Sequence, residues 1–269
     1  MLISILLVAG WGYLELFHNR YRMTGGLPEE TGDSWKDRYR VLRNQDFILG
    51  YSDLRLNPLW VSYRIRKIPP RVSKRSFPRP GRFRKDWRLI WPVEHSDFTA
   101  SGYDRGHLAP NYAISRLYGR DAQRDTFLVS NISPQKPDLN RKLWQRLEEL
   151  AITGFTRRFD TVDVITGPVF DTDTQRLKSW IEIPDQFYKI FLGIDESGRV
   201  KSALAFLMPQ SATGREPLTE FVVSIDDIEQ QTKLNFLTQL PATSEERLEK
   251  NTDYSSWMSD EESKKQSRY

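Results

Sequence analysis

Residues 103–111 read YDRGHLAPN, and this stretch carries the strongest signal in the chain. It places an arginine, a glycine and a histidine side by side, as Arg105, Gly106 and His107. An imidazole whose pKa lies near neutrality can accept a proton from water, and a guanidinium can bind two phosphate oxygens at once. Because glycine has no side chain, an anion can approach the backbone closely. The tetrapeptide that begins at Asp104 therefore predicts phosphodiester chemistry, with His107 as the proton acceptor.

Three further polar positions follow in order along the chain. Asn131 lies in the run FLVSNISPQ, and Asn140 and Glu148 lie in a stretch, 139–150, whose apolar spacing predicts a helix. In such a helix Asn140, Trp144 and Glu148 share a face, with Asn140 and Glu148 roughly 12 Å apart along the axis. One ion cannot be bound directly by both ends. We therefore expect Asn140 to give an oxygen ligand to a magnesium-like cation that keeps most of its water, and Glu148 to act through water.

These stretches resemble the DNA/RNA non-specific endonucleases, the ββα-metal nucleases of the endonuclease G type. The resemblance starts at 44–52 (NQDFILGYS), continues through 166–168 (TGP) and 183–189 (IPDQFYK), and ends near 240–241 (LP). It implies an α+β chain with the ββα-metal (His-Me finger) nuclease fold, in which a mixed or antiparallel sheet core is flanked by helices. We expect residues 35–242 to form one endonuclease domain.

The resemblance also implies a function, the metal-dependent internal hydrolysis of DNA and RNA without sequence preference, leaving 5′-phosphate ends. In the family, the residue matching Asn140 holds one Mg²⁺, for which Mn²⁺ is the alternative ion, and the residue matching His107 is the general base. Arg105 is expected to bind the substrate phosphate, Asn131 to hold the catalytic geometry, and Glu148 to complete the catalytic set. A site built on one phosphate, one ion and one water makes no contact with base edges, so non-specific cleavage also follows from the chemistry.

One position departs from the family pattern. Related nucleases often carry an arginine one helical turn after the glutamate, where it offsets charge near the scissile phosphate, and this chain has Ile152 there. Nearby basic residues are candidates to replace that arginine: Arg141, Arg146, Arg157 and Arg158. The departure leaves the rate and the substrate preference open.

Composition agrees with a nuclease without deciding the function. The chain has 269 residues, enough for one substantial core, and a formal net charge of +4 that favours an anionic partner such as DNA or RNA. It contains no cysteine, which excludes disulfides, thiolate metal sites and cysteine nucleophiles. Residues 69–88 are rich in Arg, Lys and Pro. This basic loop either tracks phosphates, with Phe77 and Phe83 stacking on bases, or is a solvated connection. His95 and His18 receive no catalytic role.

The two ends of the chain are predicted to lie outside the domain. Residues 1–23 are predicted as an apolar signal or membrane anchor, because 1–14 carry no charged side chain. We therefore expect an exported or membrane-anchored protein, with the side of the membrane open. A buried N-terminal helix is the alternative, since a spanning helix needs about 20 residues. Residues 24–34 predict a linker, and 243–269 a loosely held polar tail.

The remaining elements are predicted from local patterns. Val61, Tyr63 and Ile65 alternate with polar residues, as in a half-buried strand. Further patterns predict a strand at 162–166, a hairpin of 187–194 with 200–207, and a helix at 226–237 capped by Asp226.

Other function classes stay open at this point. A nucleic-acid-binding relative without catalysis is disfavoured because His107 and Asn140 are both present. A membrane-anchored interaction protein on a catalytically weak nuclease scaffold would be favoured by a lack of polyanion binding. A phosphodiesterase for small nucleotides is disfavoured by the basic loop. A homodimer also stays open, since many relatives are dimers.

Overall fold

The computed structural model describes residues 21–70 and 77–266, so most of the predicted anchor lies outside the described residues. Within those two ranges, no helix is both long enough and apolar enough to cross a membrane. Tyr21, near the end of the predicted anchor, is buried, and its hydroxyl lies 2.7 Å from Ser62 Oγ. The predicted linker also packs on the domain, because Thr24 Oγ1 donates to Asp163 Oδ2 at 2.5 Å. The folded unit therefore begins earlier than the predicted residue 35.

A seven-stranded antiparallel sheet forms the centre of the described structure. Its strands are β2 (Arg40–Arg43), β3 (Phe47–Ser52), β4 (Asn57–Ile65), β7 (Thr161–Val169), β8 (Gln186–Ile194), β9 (Val200–Pro209) and β10 (Val222–Val223). Their spatial order is β10–β9–β8–β7–β4–β3–β2. The predicted hairpin is confirmed, since β8 and β9 pair antiparallel with Gln186 opposite Pro209. The strand predicted at 162–166 is the middle of β7.

Both faces of this sheet are covered by apolar side chains. Val61, Tyr63 and Ile65 of β4 belong to one buried cluster, whereas Trp60 belongs to a second cluster on the other side. The prediction of a half-buried strand was therefore wrong. The second face is covered by Tyr21 and by C-terminal residues far away in the sequence, so the local pattern could not reveal it.

A smaller hairpin followed by a helix completes the ββα unit. Strand β5 (Asp104–His107) pairs antiparallel with β6 (Ile132–Gln135), and His107 lies opposite Ile132. Two helices, α1 (Asn111–Tyr118) and α2 (Arg120–Thr126), lie between them in the chain. The predicted α+β fold class is confirmed. A side chain at Gly106 would clash with Gln135, so packing of the hairpin requires a glycine here.

Helix α3, residues 139–158, follows β6 and is longer than predicted. It consists of π-helical Leu139–Trp144, α-helical Gln145–Leu150, π-helical Ala151–Phe155 and α-helical Thr156–Arg158. Wide π-turns are frequent at functional sites and change which side chains share a face. Trp144 is thus buried, with its ring centroid 5.7 Å from that of Phe187.

The helix predicted at 226–237 has different limits. Helix α4 spans Ile225–Thr232 and begins at Ser224, whose side chain forms a reciprocal capping box with Asp227. Lys233 adopts a left-handed conformation, φ 58°, and ends the helix. Leu234–Asn235 then form β11, which pairs with β1 (Glu29–Glu30) inside the predicted linker. The prediction was wrong because the helix ends at a single left-handed residue between α4 and β11, and one such residue leaves no periodic signal.

The C-terminal segment is packed on the domain rather than loosely held. It contains helices α5 (Ala242–Glu249) and α6 (Asp260–Lys264). Between them, Trp257 is fully buried, and its ring centroid lies 5.1 Å from that of Phe155 and 4.3 Å from that of Phe159. Leu248 and Met258 are also buried, and the polar composition of 243–269 conceals these few apolar contacts.

Candidate active site

A cleft of about 510 Å³ opens at the ββα unit. Four of the five predicted site residues line it together: Arg105, His107, Asn140 and Glu148. They come from strand β5 and helix α3, so the hairpin and the helix that follows it place them on one surface. The fifth, Asn131, lies behind the cleft wall.

His107 ends strand β5 and lies between two aromatic rings. Its ring centroid is 5.0 Å from that of Phe83 and 5.0 Å from that of Phe127. Burial, with a smaller contribution from the positive charge of Arg79, lowers the pKa of His107 to about 3. The imidazole is therefore neutral at neutral pH and has a lone pair available to accept a proton. The packing of these rings on His107 could not be predicted from the sequence.

The basic loop at 69–88 is partly folded into the domain. Phe83, expected to stack on bases, packs on His107 instead, and its backbone N–H donates to His95 Nδ1 at 3.2 Å. Arg88 donates to both oxygens of the buried Asp86 carboxylate. Among the described residues of the loop, Arg79 and Phe83 line the cleft. Arg79 therefore brings a positive charge from this loop to the site.

Arg105 is held at the cleft wall by several hydrogen bonds. Its Nε and Nη2 donate to the backbone oxygen of His95 at 3.0 and 2.7 Å, and Nη2 also donates to Thr99 Oγ1 at 3.0 Å. These bonds fix the guanidinium before any substrate is present. The His95 backbone therefore helps to position Arg105.

Asn140 is oriented by an acidic neighbour that sequence reasoning passed over. Its Nδ2 donates to Asp104 Oδ2 at 2.9 Å, and Arg141 donates to both oxygens of the same carboxylate at 2.7 and 2.5 Å. Burial opposes ionisation of Asp104, but these hydrogen bonds outweigh it and hold its pKa below the usual range. The Asp104 carboxylate thus holds the Asn140 amide through its nitrogen. The amide oxygen, Oδ1, then remains available as a ligand.

This arrangement fits a hydrated divalent cation. An amide oxygen is a hard ligand of the kind that Mg²⁺ binds while it keeps several waters. Within the described ranges, the cleft contains no group of three His, Asp or Glu side chains close enough to share an ion directly. The cleft therefore suits a cation with one protein ligand, the Asn140 amide oxygen, and water at its other positions.

Lys189 is a site residue that sequence reasoning missed. It lies on β8 with no exposed surface, and its Nζ is 3.1 Å from Glu148 Oε1 and 4.2 Å from the centre of the Trp144 ring. Burial raises the pKa of Glu148 and lowers that of Lys189, while their ion pair acts in the opposite direction on both. A lysine inside the apolar run QFYKIFLGI was the available signal.

Asn131 acts on the backbone behind His107. Its Oδ1 accepts from Ala109 N at 2.9 Å, and its Nδ2 donates to the backbone oxygens of Ala109 and Thr126, each at 3.0 Å. It is fully buried, with no surface at the cleft. These contacts join the backbone at Ala109, two residues after His107, to the backbone at Thr126.

Ile152 packs against the core and does not line the cleft. Of the four arginines considered as replacements, Arg141 reaches the cleft. Arg146 donates to backbone oxygens at 214 and 216, and Arg158 pairs with Glu262 at 2.7 Å. Arg157 lines a separate cavity. Arg141 is thus the one of the four placed to act near the substrate.

The fold and the cleft define a hydrolase of the ββα-metal nuclease class. The chain belongs to the DNA/RNA non-specific endonuclease family, whose model matches residues 29–243. It is 29% identical to human mitochondrial endonuclease G over 212 residues, which cover 74% of this chain and 69% of the relative. It is also 29% identical to the mitochondrial nuclease of Saccharomyces cerevisiae over 226 residues, 76% of this chain and 67% of the relative.

A solved structure shows the same fold. The structure of an EndoG/EndoGI complex matches with a TM-score of 0.62 at 24% identity, covering 75% of this chain and 86% of that one. The family and the fold predicted from the sequence are thereby confirmed.

The expected export or membrane anchoring is contradicted by the relatives. Both the human endonuclease G and the yeast nuclease are named as mitochondrial proteins. The expectation rested on the apolar composition of residues 1–14. Composition alone does not distinguish the several kinds of apolar N-terminal segment.

Proposed function

We propose that this nuclease hydrolyses internal phosphodiester bonds of both DNA and RNA, without sequence preference and with Mg²⁺ as cofactor. Mn²⁺ is the alternative ion. The observation that carries the proposal is the convergence of His107, Arg105 and Asn140 on one cleft, with the Asn140 amide fixed by Asp104. The names of the relatives, endonuclease G and nuclease EXOG among them, agree with it.

Each residue has a distinct task in this mechanism. His107 accepts a proton from the attacking water, which its neutral imidazole can do at neutral pH. Arg105 binds a non-bridging phosphate oxygen through a guanidinium that is already held in place. Asn140 would hold Mg²⁺, and Glu148 would contact its water. When bound, the ion supplies positive charge that stabilises the pentavalent transition state and the leaving oxygen.

Lack of sequence preference follows from the groups that face the cleft. Arg79, Arg105 and Arg141 all line it and offer positive charge to phosphates. Phosphate contacts position a nucleic acid without reading its bases. Tyr112, also on the cleft and 56% exposed, offers a ring on which any base could stack.

The test is cleavage of supercoiled plasmid and structured RNA by the full chain, with Mg²⁺ or with EDTA. We expect both substrates to be cleaved with Mg²⁺ and not with EDTA. Cleavage should be strongly reduced in His107→Ala, and in Asn140→Ala when Mg²⁺ is limiting. Asn251→Ala is the matched control, since this asparagine bonds to Ala203 O away from the cleft.

The other outcomes separate the competing functions. Cleavage of a dinucleotide but not of either polymer would replace the proposal with a small-nucleotide phosphodiesterase. Binding of DNA without cleavage, by folded protein across several divalent metals, would leave a nucleic-acid-binding protein. A folded protein that neither binds nor cleaves nucleic acid would instead favour an interaction scaffold.

A further inference from the structure

A second group of carboxylates lies away from the cleft, at the junction of α4 and α5. Asp226 and Glu229 come from α4, and Glu249 is the last residue of α5. One carboxylate oxygen from each of the three lies within 4.8 Å of the other two. The two helices pack in the apolar cluster on the face of the sheet that does not carry α3. The group is therefore separate from the catalytic residues.

Glu249 makes this group unusual. Only 8% of its surface is exposed, and its Oε1 atom is buried without a hydrogen-bond partner among the described residues. A buried polar atom without a partner costs free energy, and a buried carboxylate costs more unless it is neutralised. The side chain thus needs a positive partner in the space it shares with Asp226 and Glu229.

The surrounding charges do not provide that partner. Glu245, on the same helix, adds negative charge beside Glu249. Lys250 lies near Asp226, but its Nζ pairs with Glu246 Oε1 at 2.7 Å. A cation or a proton must therefore offset the charge of the group.

We propose that Asp226, Glu229 and Glu249 form a second divalent-cation site, which suits Ca²⁺ and fastens α5 to α4. Carboxylate oxygens are the ligands that Ca²⁺ prefers, at about 2.3–2.6 Å in irregular geometry. The three carboxylate oxygens lie within 4.8 Å of one another, close enough to share one ion of this size. Asp226 is exposed, so water can reach the remaining positions.

The test is the thermal unfolding of the full chain after treatment with EDTA, as CaCl₂ is added at constant ionic strength. It is made in an Asn140→Ala background, so that the proposed catalytic ligand does not contribute and no nuclease activity is needed. We expect a saturable rise in Tm, about 5 °C at a hundredfold excess over Kd, with a smaller rise for MgCl₂ at the same concentration.

Three variants make the test specific. Glu249→Gln keeps the shape of the side chain, and it should abolish the calcium-dependent rise while leaving Tm in EDTA equal or higher. Asp226→Asn, at an exposed position that folding tolerates, should weaken the response as well. Glu261→Gln, at an exposed position on α6 outside the group, is the matched control and should keep the full rise.

Two results would overturn the site. One is a Tm that CaCl₂ does not raise, or whose dependence on pH is the same with and without CaCl₂. A shared proton, and not a cation, would then neutralise the group. The other is an equal response in Glu249→Gln. Neither result affects the proposed nuclease activity, because the readout is stability in a variant of the catalytic cleft.

Discussion

Replacing Lys189 with Met should move the acidic limb of the pH–rate profile to higher pH. The Lys189 ammonium is fully buried 3.1 Å from Glu148 Oε1, where its charge favours the ionised carboxylate against the effect of burial. Met fills a similar volume without the charge. Glu148 should then keep its proton to higher pH, and its oxygen would be a poorer acceptor for the water at the metal.

The size of the effect follows from the geometry of the pair. Two unit charges 3.1 Å apart attract by about 5 kcal/mol at an effective dielectric constant of about 20. Because 23% of the Glu148 side chain is exposed at the cleft, water should offset most of this energy when the lysine is lost. If about 1.4–2.8 kcal/mol remains, cleavage on the acidic limb of the profile should fall about ten- to hundredfold. The loss should shrink as the pH is raised.

The assay is single-turnover cleavage of one oligonucleotide across the pH range at saturating Mg²⁺. Lys201→Met, an exposed lysine on the neighbouring strand β9, is the control and should leave the profile unchanged. The pKa of His107, about 3, lies too low to produce an acidic limb near neutral pH. An unchanged profile for Lys189→Met, or an equal loss at every pH, would refute the role assigned to the pair.

Unfolding measurements give the same test a second readout. Glu148 without its partner has a raised folded-state pKa, so its ionisation opposes folding. The stability of Lys189→Met should therefore fall, relative to wild type, as the pH rises above the unfolded-state pKa of a glutamate, about 4.3. Equal dependence on pH for the two proteins would contradict the coupling.

Three other predictions concern separate parts of the molecule. Asn131→Ala should lower the free energy of unfolding by about 2–4 kcal/mol, because buried backbone groups of Ala109 and Thr126 lose their partner, and an unchanged urea midpoint would rule this out. Trp257→Ala should cost about 3–5 kcal/mol in the same measurement, whereas a loosely held tail would give no change. Arg79→Ala, made in the His107→Ala background, should reduce the slope of log K against log salt for DNA binding by about 1, while Arg199→Ala should not. Equal slopes for both would remove Arg79 from the phosphate-binding surface.

The sequence predicted the parts of the site that are local. Arg105 and His107 lie in one tetrapeptide, so their spacing alone places them near each other. In the same way, spacing alone places Asn140 and Glu148 on one helix. Lys189 could not be found this way, because it reaches Glu148 from a strand 41 residues further along the chain. The same holds for the lowered pKa of His107, which depends on the rings of Phe83 and Phe127.

The fold was predictable where patterns repeat and unpredictable where single residues decide. The β8–β9 hairpin has two apolar runs around a turn, and it formed with nearly the predicted limits. The end of α4 depends on the left-handed Lys233, and the packing of the C-terminal segment depends mainly on Trp257. Neither residue produces a periodic signal, so composition favoured a longer helix and a free tail.

The most direct test of the central claim is the dependence of single-turnover cleavage on Mg²⁺ concentration for wild type, His107→Ala and Asn140→Ala. Asn140→Ala should raise the half-saturating Mg²⁺ concentration by about tenfold or more and recover activity at high Mg²⁺. His107→Ala should lower the rate constant at saturating Mg²⁺ by about 10²–10⁴ and leave the half-saturating concentration unchanged. An unchanged Mg²⁺ dependence in Asn140→Ala, or a wild-type rate constant in His107→Ala, would contradict the roles given to these residues.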